Sequence, residues 1–337
     1  MILAHVPKGA RLIAVVKANG YGHGAVQVAR AALRGGASWL AVATLDEARE
    51  VSGLVHAERI LVMGGLVPAQ AEAAAAGGFA IAVSSQDLAS ALGECDEVVP
   101  VHLKLDTGMG RFGARLEEAA DLARFIEVSG GLRLAGTWTH FASAGSDQEM
   151  TRLQFQRFEE ALRGLGTAPG MRHVCNSAAA MRHPDMALDA VRCGIALYGC
   201  EWPETTPALT LCSVVTHVKK VEKGDSVGYG STWVARSPAT VATVAIGYAD
   251  GVHRSRANRG HVLVRGRLAP LIGAVSMDAI TVDVSGIDGV QLGDTVTLIG
   301  QDGDERITAE QVAEWSGTIS YEVLTAIGPR VRRRYKE

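Results

Sequence analysis

The sequence is poor in lysine. Only 7 of its 33 basic residues are lysines, so positions that need simple positive charge are usually filled by arginine. Apart from Lys8, the stretch from Pro7 to His217 holds just Lys17 and Lys104. A lysine retained under that bias points to chemistry closed to a guanidinium, because an ε-amine can lose its proton when desolvated and form a Schiff base with a carbonyl. Other absences exclude whole classes. No apolar run approaches the roughly 20 residues that span a bilayer, and Met1-Ile-Leu-Ala-His-Val-Pro-Lys8 lacks the layout of a secretory signal. A cytoplasmic location without membrane association is the expectation. A net charge of -3 gives no reason to expect nucleic acid, so small ligands are the expected partners. The five cysteines (Cys95, Cys175, Cys193, Cys200, Cys212) are odd in number, have no paired metal spacing, and read as free thiols.

What is present is an ordinary globular composition, 47% hydrophobic over 337 residues, enough for two domains or for one barrel with an appendage. The first part repeats one unit, a short apolar run followed by an amphipathic or alanine-rich stretch. The runs are Leu12–Val16, Trp39–Thr44, Arg59–Gly64, Ala80–Ser85, Val98–Asp106, Leu132–His140, Met171–Asn176 and Asp189–Gly199. Asp46–Leu54, Ala69–Ala76, Leu116–Val128 and Gln148–Leu165 read as helices between them. Strand alternating with helix in this way predicts a parallel (β/α)8, TIM-like barrel, with a doubly wound sheet as the alternative.

After Gly199 the pattern changes. Leu209–Val221, Ser226–Gly230, Ala239–Gly247, His261–Val264, Leu271–Val275, Ile280–Val284 and Thr295–Gly300 follow one another with only turns between, which predicts a mostly antiparallel β domain. One helix, Thr308–Trp315, interrupts it before a last run, Tyr321–Ile327, and the basic tail Arg330–Tyr335 reads as a solvated edge strand. The linker is Glu201–Pro207, which places the domains at 1–205 and 206–337.

The unusual polar residues collect at the carboxyl ends of the predicted barrel strands, where such barrels carry their active sites. Lys17 follows the first strand, Lys104 to Arg111 end or follow the fifth, His140 ends the sixth, Asn176-Ser177 follow the seventh, and Arg192 lies in the eighth. The segment Lys104-Leu-Asp-Thr-Gly-Met-Gly-Arg-Phe-Gly113 supplies glycines for tight turns beside a ligand and Arg111 for an anion. Arg192, alone in an apolar run, must be paired or bound to a ligand; a structural ion pair competes with a ligand contact. Ser177 at a helix start and the amides of Gly194-Ile195 could cradle phosphate. A Schiff-base lysine, a phosphate cradle and nearby arginines together describe a site for pyridoxal 5′-phosphate. The rival is a metal site using His23, His102, His140 and Asp106, which has no closely spaced histidine pair behind it.

At these residues the sequence resembles the alanine racemases. The resemblance runs through Val16-Lys17-Ala-Asn-Gly-Tyr-Gly-His-Gly24, Lys104–Gly113, Thr139-His-Phe-Ala142, Asn176-Ser177, Arg192-Cys-Gly-Ile195, Val227-Gly-Tyr-Gly230, Gly247-Tyr-Ala-Asp-Gly251 and Ser276-Met-Asp278. It implies a cytoplasmic isomerase that interconverts L- and D-alanine for bacterial cell-wall peptidoglycan. Lys17 would hold the cofactor. Tyr21, Ser177, Gly194, Ile195 and Tyr321 would contact its phosphate, and Arg192 its pyridine nitrogen. Arg111 would stand near the cofactor's phenolic oxygen and the substrate carboxylate, Met277 would offer that carboxylate its backbone amide, and Lys104 resembles a lysine that is carbamylated in many members. Racemisation needs two acid/base groups flanking Cα, and the resemblance makes them Lys17 and Tyr229. Tyrosine titrates near ~10 unless positive charge or hydrogen bonding assists it, and His140 with Arg192 would provide that connection. Tyr229 and Met277 would reach the cofactor of the neighbouring subunit, so a head-to-tail homodimer is expected.

Two departures accompany the resemblance. Members generally carry a longer segment, with a strand, ahead of the lysine. Gly228 stands where several carry another aromatic, which leaves the substrate range open to serine or a broader set. A barrel decarboxylase of basic amino acids and a non-catalytic pyridoxal-phosphate-binding protein are the further alternatives.

Overall fold

Nearly every strand residue of the first part is buried, which is why its runs read as continuous rather than alternating. The structure, a computed structural model, describes residues 1–336. Among the described residues, eight parallel strands pair in sequence order and close on themselves. They are β1 (Arg11–Val15), β2 (Trp39–Val42), β3 (Ile60–Val62), β4 (Ala80–Val83), β5 (Val99–Lys104), β6 (Leu132–Trp138), β7 (Met171–His173) and β8 (Ala190–Cys193). Closure comes from β1 and β8, with Ile13 opposite Arg192 and Ala14 opposite Cys193. Helices pack around them, several started by a side-chain cap. Thr44 and Glu47 form a capping box for Leu45–Val51, Asp147 caps Gln148–Gly164, and Asn176 caps Ser177–Arg182.

The strands stop short of the apolar runs at their carboxyl ends. Met171–Asn176 contributes only Met171–His173, because Asn176 leaves the ladder to accept from the N–H of Ala179. Asp189–Gly199 contributes only Ala190–Cys193, because the N–H of Gly194 turns to Ser177 Oγ. These surplus residues form the loops of the barrel mouth.

The chain divides into two compact units after Leu197, ahead of the expected boundary near 205. The linker residues belong to the second unit. Ala208 donates to the carbonyl of Tyr198, Glu201 N–H to the Glu310 carboxylate, and Ser320 Oγ to Glu201.

In that unit the strands are β9 (Leu211–Val221), β10 (Ser226–Val227), β11 (Trp233–Val234), β12 (Ala239–Val244), β13 (His261–Val264), β14 (Arg267–Ile272), β15 (Ile280–Asp283), β16 (Thr295–Asp302) and β17 (Glu305–Ile307). Among the described residues, seven form an antiparallel sheet in the order β13-β14-β15-β12-β9-β16-β17, and a further β13–β16 pairing curls it round a core that includes Val215, Val244, Leu263, Leu271, Val282 and Leu298. Three expectations are corrected here. Ser226–Gly230 is a strand only to Val227, since Gly228 and Gly230 take φ of 78° and 73° and break the ladder. The run Tyr321–Ile327 gives a helix, Ser320–Thr325. Arg330–Tyr335 is no strand, because two of its arginines are engaged by side chains and carbonyls outside any ladder. Arg330 pairs with Asp250 and Asp278, and Arg333 donates to the carbonyls of Ile327, Gly328 and Val331.

Candidate active site

Lys17 leaves β1 on a strained turn. Ala18, Asn19, Gly20 and Tyr21 all take positive φ, between 51° and 59°. A left-handed turn costs a non-glycine residue roughly 1–2 kcal/mol, so other groups must hold it. Glu47 Oε1 accepts from the N–H of Ala18 at 2.7 Å, Asn19 Oδ1 accepts from Ala25 at 3.0 Å, and Val16 O accepts from Gly20 at 2.8 Å. The turn puts the half-buried Lys17 side chain in the barrel mouth and buries Tyr21 against Gly194, where any Cβ would strike the Tyr21 hydroxyl. Burial lowers the Lys17 pKa, Arg111 lowers it further, and Glu47 opposes both. Burial also pushes the Tyr21 phenol up to about 12, so it stays a neutral hydroxyl.

Lys104 ends β5 almost fully buried. Its Nζ donates to the carbonyl of Phe112 and stands 3.9 Å from the Phe112 ring centroid. Burial brings its pKa down to about 8, with Asp106 opposing and Arg111 and Arg192 adding to the fall. The loop beyond is folded by Asp106, whose carboxylate accepts from the N–H groups of Gly108, Met109 and Gly110 at 2.9–3.1 Å. Burial alone would raise that carboxyl, but these N–H groups and Lys104 outweigh it. Arg111, exposed, follows directly on this loop.

Arg192 is 2% exposed in β8, and among the described residues no carboxylate pairs with it. The ion pair that competed for this position is therefore not observed. Its Nη1 donates to Nδ1 and to the carbonyl of His173 at 2.8 and 2.7 Å. Its Nη2 donates to the carbonyls of Thr139 and Val174 and, at 3.3 Å, to His140 Nδ1. Nε alone has no partner among the described residues. The ring face of Trp138 lies 4.6 Å from the guanidinium, and burial lowers its pKa to about 10. Since Nδ1 of His140 accepts, its proton resides on Nε2. Burial, then Arg192, Arg111, Lys104 and Lys17, hold the His140 imidazole well below its ordinary range. That ring therefore feels the four cations of the barrel mouth together.

Ser177 Oγ accepts from the N–H of Gly194 at 2.9 Å and of Ala196 at 3.4 Å. Ser177, Gly194 and Ile195 are all buried beside Tyr21. The barrel thus brings together Lys17, Tyr21, Lys104, Arg111, His140, Ser177, Arg192, Gly194 and Ile195. The residues of the metal alternative are not assembled: among the described residues no group of three His, Cys, Asp or Glu is placed to hold a metal, and His102 bonds to His173 instead. No helix is long and apolar enough to cross a membrane among the described residues.

Tyr229, Met277 and Tyr321 belong to the other unit. Tyr229 is 75% exposed on a tight turn between Gly228 and Gly230, and Met277 is 51% exposed. Gly228 serves the backbone there, for a Cβ would stand 3.1 Å from the N of Ala274. Met277 is held by its main chain, with the N–H groups of Tyr248 and Ala249 donating to the carbonyls of Ser276 and Met277. Arg330 ties Asp278 to Asp250 beneath the same turn. Tyr321 lies exposed near the start of its helix.

Sequence reasoning passed over Glu47, His173 and Trp138, and quoted Thr139 without giving it a task. Glu47 had a signal, Thr44-x-x-Glu47 in front of a helix. His173 and Trp138 lie in apolar runs with nothing to mark them.

Known proteins supply an independent comparison. The family model for the alanine racemase N-terminal domain matches residues 1–201, and the model for the alanine racemase C-terminal domain matches residues 208–335. The chain is 42% identical to the alanine racemase of Symbiobacterium thermophilum over 348 aligned residues, covering 99% of this chain and 92% of the relative. Among solved structures it is similar to the alanine racemase from E. faecalis (TM-score 0.93, 37% identity, 99% of this chain and 94% of that one). It is also similar to that of Bacillus anthracis with bound L-Ala-P (TM-score 0.90, 38% identity, 98% of this chain and 89% of that one).

Proposed function

The chain belongs to the alanine racemase family, and we propose that it interconverts L-alanine and D-alanine, with Lys17 and Tyr229 as the two groups that exchange the Cα proton. The observation that carries this reading is the pairing, in one barrel mouth, of a desolvated Lys17 with a buried arginine whose Nε–H is unclaimed.

The residues present fit pyridoxal 5′-phosphate. A buried Nε–H with no acceptor asks for one of the kind an aromatic ring nitrogen offers. Ser177, Tyr21 and the backbone of Gly194 and Ile195 form a hydroxyl- and amide-rich corner suited to a phosphate. Once bound through Lys17, the cofactor would draw electrons from Cα and so acidify its proton.

The chain's own residues do the rest. Burial and Arg111 favour the neutral amine of Lys17, the form that can take a proton from one face of Cα. Arg111 and the backbone amide of Met277 would hold the substrate carboxylate and set which bond faces the base. Tyr229 would return a proton to the opposite face, with the Nε2–H of His140 directed to its oxygen and Arg192 behind His140. Arg192, a donor only, would face the ring nitrogen and keep it unprotonated, which would temper the electron withdrawal the cofactor supplies. Lys104, as a carbamate, would turn a repelling cation into an anion facing Arg111. Tyr229 and Met277 would act on the site of a second subunit in a head-to-tail homodimer.

The test is an assay of purified chain with L-alanine and pyridoxal phosphate, read by chiral chromatography beside Lys17→Ala. Convergence on equal D and L amounts, lost in the variant, is expected. Bound cofactor without D-alanine would overturn the reading. Mixing Lys17→Ala and Tyr229→Phe chains should restore part of the activity; no recovery after proven subunit exchange counts against shared sites.

A further inference from the structure

His102 and His173 lie inside the barrel, each 0% exposed, and the reaction above gives neither a task. Yet the barrel is built around His102. The β5–β6 register shifts between Val101 and His102. Opposite it stands Gly136, where a Cβ would come within 2.5 Å of His102 Nδ1. The Trp39 ring packs against the imidazole, centroid to centroid 5.5 Å, with the planes 64° apart. In this slot His102 Nδ1 is 2.8 Å from His173 Nε2, and His173 Nδ1 is 2.8 Å from Arg192 Nη1.

The direction of these bonds follows from the guanidinium, which can only donate. His173 Nδ1 must accept, so its proton is on Nε2. That N–H donates to His102 Nδ1, which leaves the His102 proton on Nε2, where it has no acceptor among the described residues. The opposite order would face an N–H of His173 against an N–H of Arg192. Burial, with Arg192 beside them, keeps both rings neutral, taking His102 to about 3 and His173 well below its ordinary range.

We propose that His102 is a positioning residue: by accepting from His173 it fixes the tautomer in which His173 accepts from Arg192, and so keeps the Arg192 guanidinium turned with Nε–H as its one unclaimed donor in the barrel mouth. Without that acceptor, His173 is released to carry its proton on Nδ1. It then opposes Nη1 instead of receiving from it, and the guanidinium turns. The effect on rate rests on the proposed cofactor contact of Arg192; the tautomer does not.

Two variants separate this role from packing. In His102→Asn the amide oxygen takes the place of Nδ1 and can still accept, whereas His102→Leu cannot. Nitrogen NMR of histidine-labelled protein, without added cofactor, is expected to give the Nε2–H tautomer for His173 in the parent and the Asn variant, and Nδ1–H or a mixture in the Leu variant. With pyridoxal phosphate and L-alanine, kcat should fall about tenfold or more for Leu with KM within about twofold, and Asn should recover it to within about threefold of the parent. An unchanged His173 tautomer in the Leu variant overturns the proposal, as do equal losses in both variants that track their melting temperatures. If no form binds the cofactor or racemises alanine, the reading of the site fails, while the tautomer measurement still decides what His102 does to His173.

Discussion

Glu47 accepts the N–H of Ala18 at 2.7 Å with one carboxylate oxygen and the N–H of Ala43 at 2.7 Å with the other. A residue that caps a helix thereby also clamps the left-handed turn behind Lys17. Glu47→Gln keeps one acceptor oxygen and turns an amide N–H toward a backbone N–H. It should lower the unfolding free energy by about 1–3 kcal/mol, measured by urea titration. The lost carboxylate raises the Lys17 pKa in the parent, so the limb of the kcat/KM profile that reports Lys17 should move to lower pH in the variant.

Lys104, brought down to about 8 by burial, holds a substantial fraction of neutral amine near that pH, the form that adds carbon dioxide. Bicarbonate should therefore activate CO2-depleted protein above pH 8, and the activation should fade about tenfold per unit below it. Lys104→Arg should show neither the activation nor the extra mass of one carbon dioxide under gentle mass spectrometry.

His102, His140 and His173 have folded pKa values below the ordinary 6.5, held down first by burial and next by Arg192. Unfolded, each takes a proton near 6.5; folded, His102 waits until about 3. The stability they confer is thus present above 6.5 and is lost as pH falls below it, for His102 through the window toward 3. Below pH 6.5 His102 should remove an amount that approaches about 1.4 kcal/mol per pH unit from the unfolding free energy, His140 and His173 should act in the same direction, and His102→Asn should remove the His102 contribution. A flat stability curve in this window would contradict the buried, neutral assignment.

Gly136→Ala places a methyl 2.5 Å from His102 Nδ1 and 2.7 Å from the carbonyl of Met171. Overpacking of this kind should cost about 1–3 kcal/mol. The same change at Gly65, which has open space around it, is the control and should leave the melting temperature nearly unchanged.

The barrel was legible because eight strands buried on both faces must be written as apolar runs, and because alternation with helices leaves few ways to connect them. The second unit was legible as β for the same kind of reason, though not where a turn such as Gly228–Gly230 or the tethered tail overrode the local pattern. Composition and order also determined which polar residues would stand at the strand ends: Lys17, Lys104, His140, Ser177 and Arg192 are conspicuous in apolar surroundings. What only the tertiary structure decided is how those residues are held. The left-handed course of Ala18 to Tyr21 depends on a carboxylate 29 positions away in sequence, and the aim of Arg192 depends on His173 and, through it, on His102 in another strand. A buried donor reveals its acceptor only when separate strands are brought within 3 Å, and no period or motif along the chain encodes that distance.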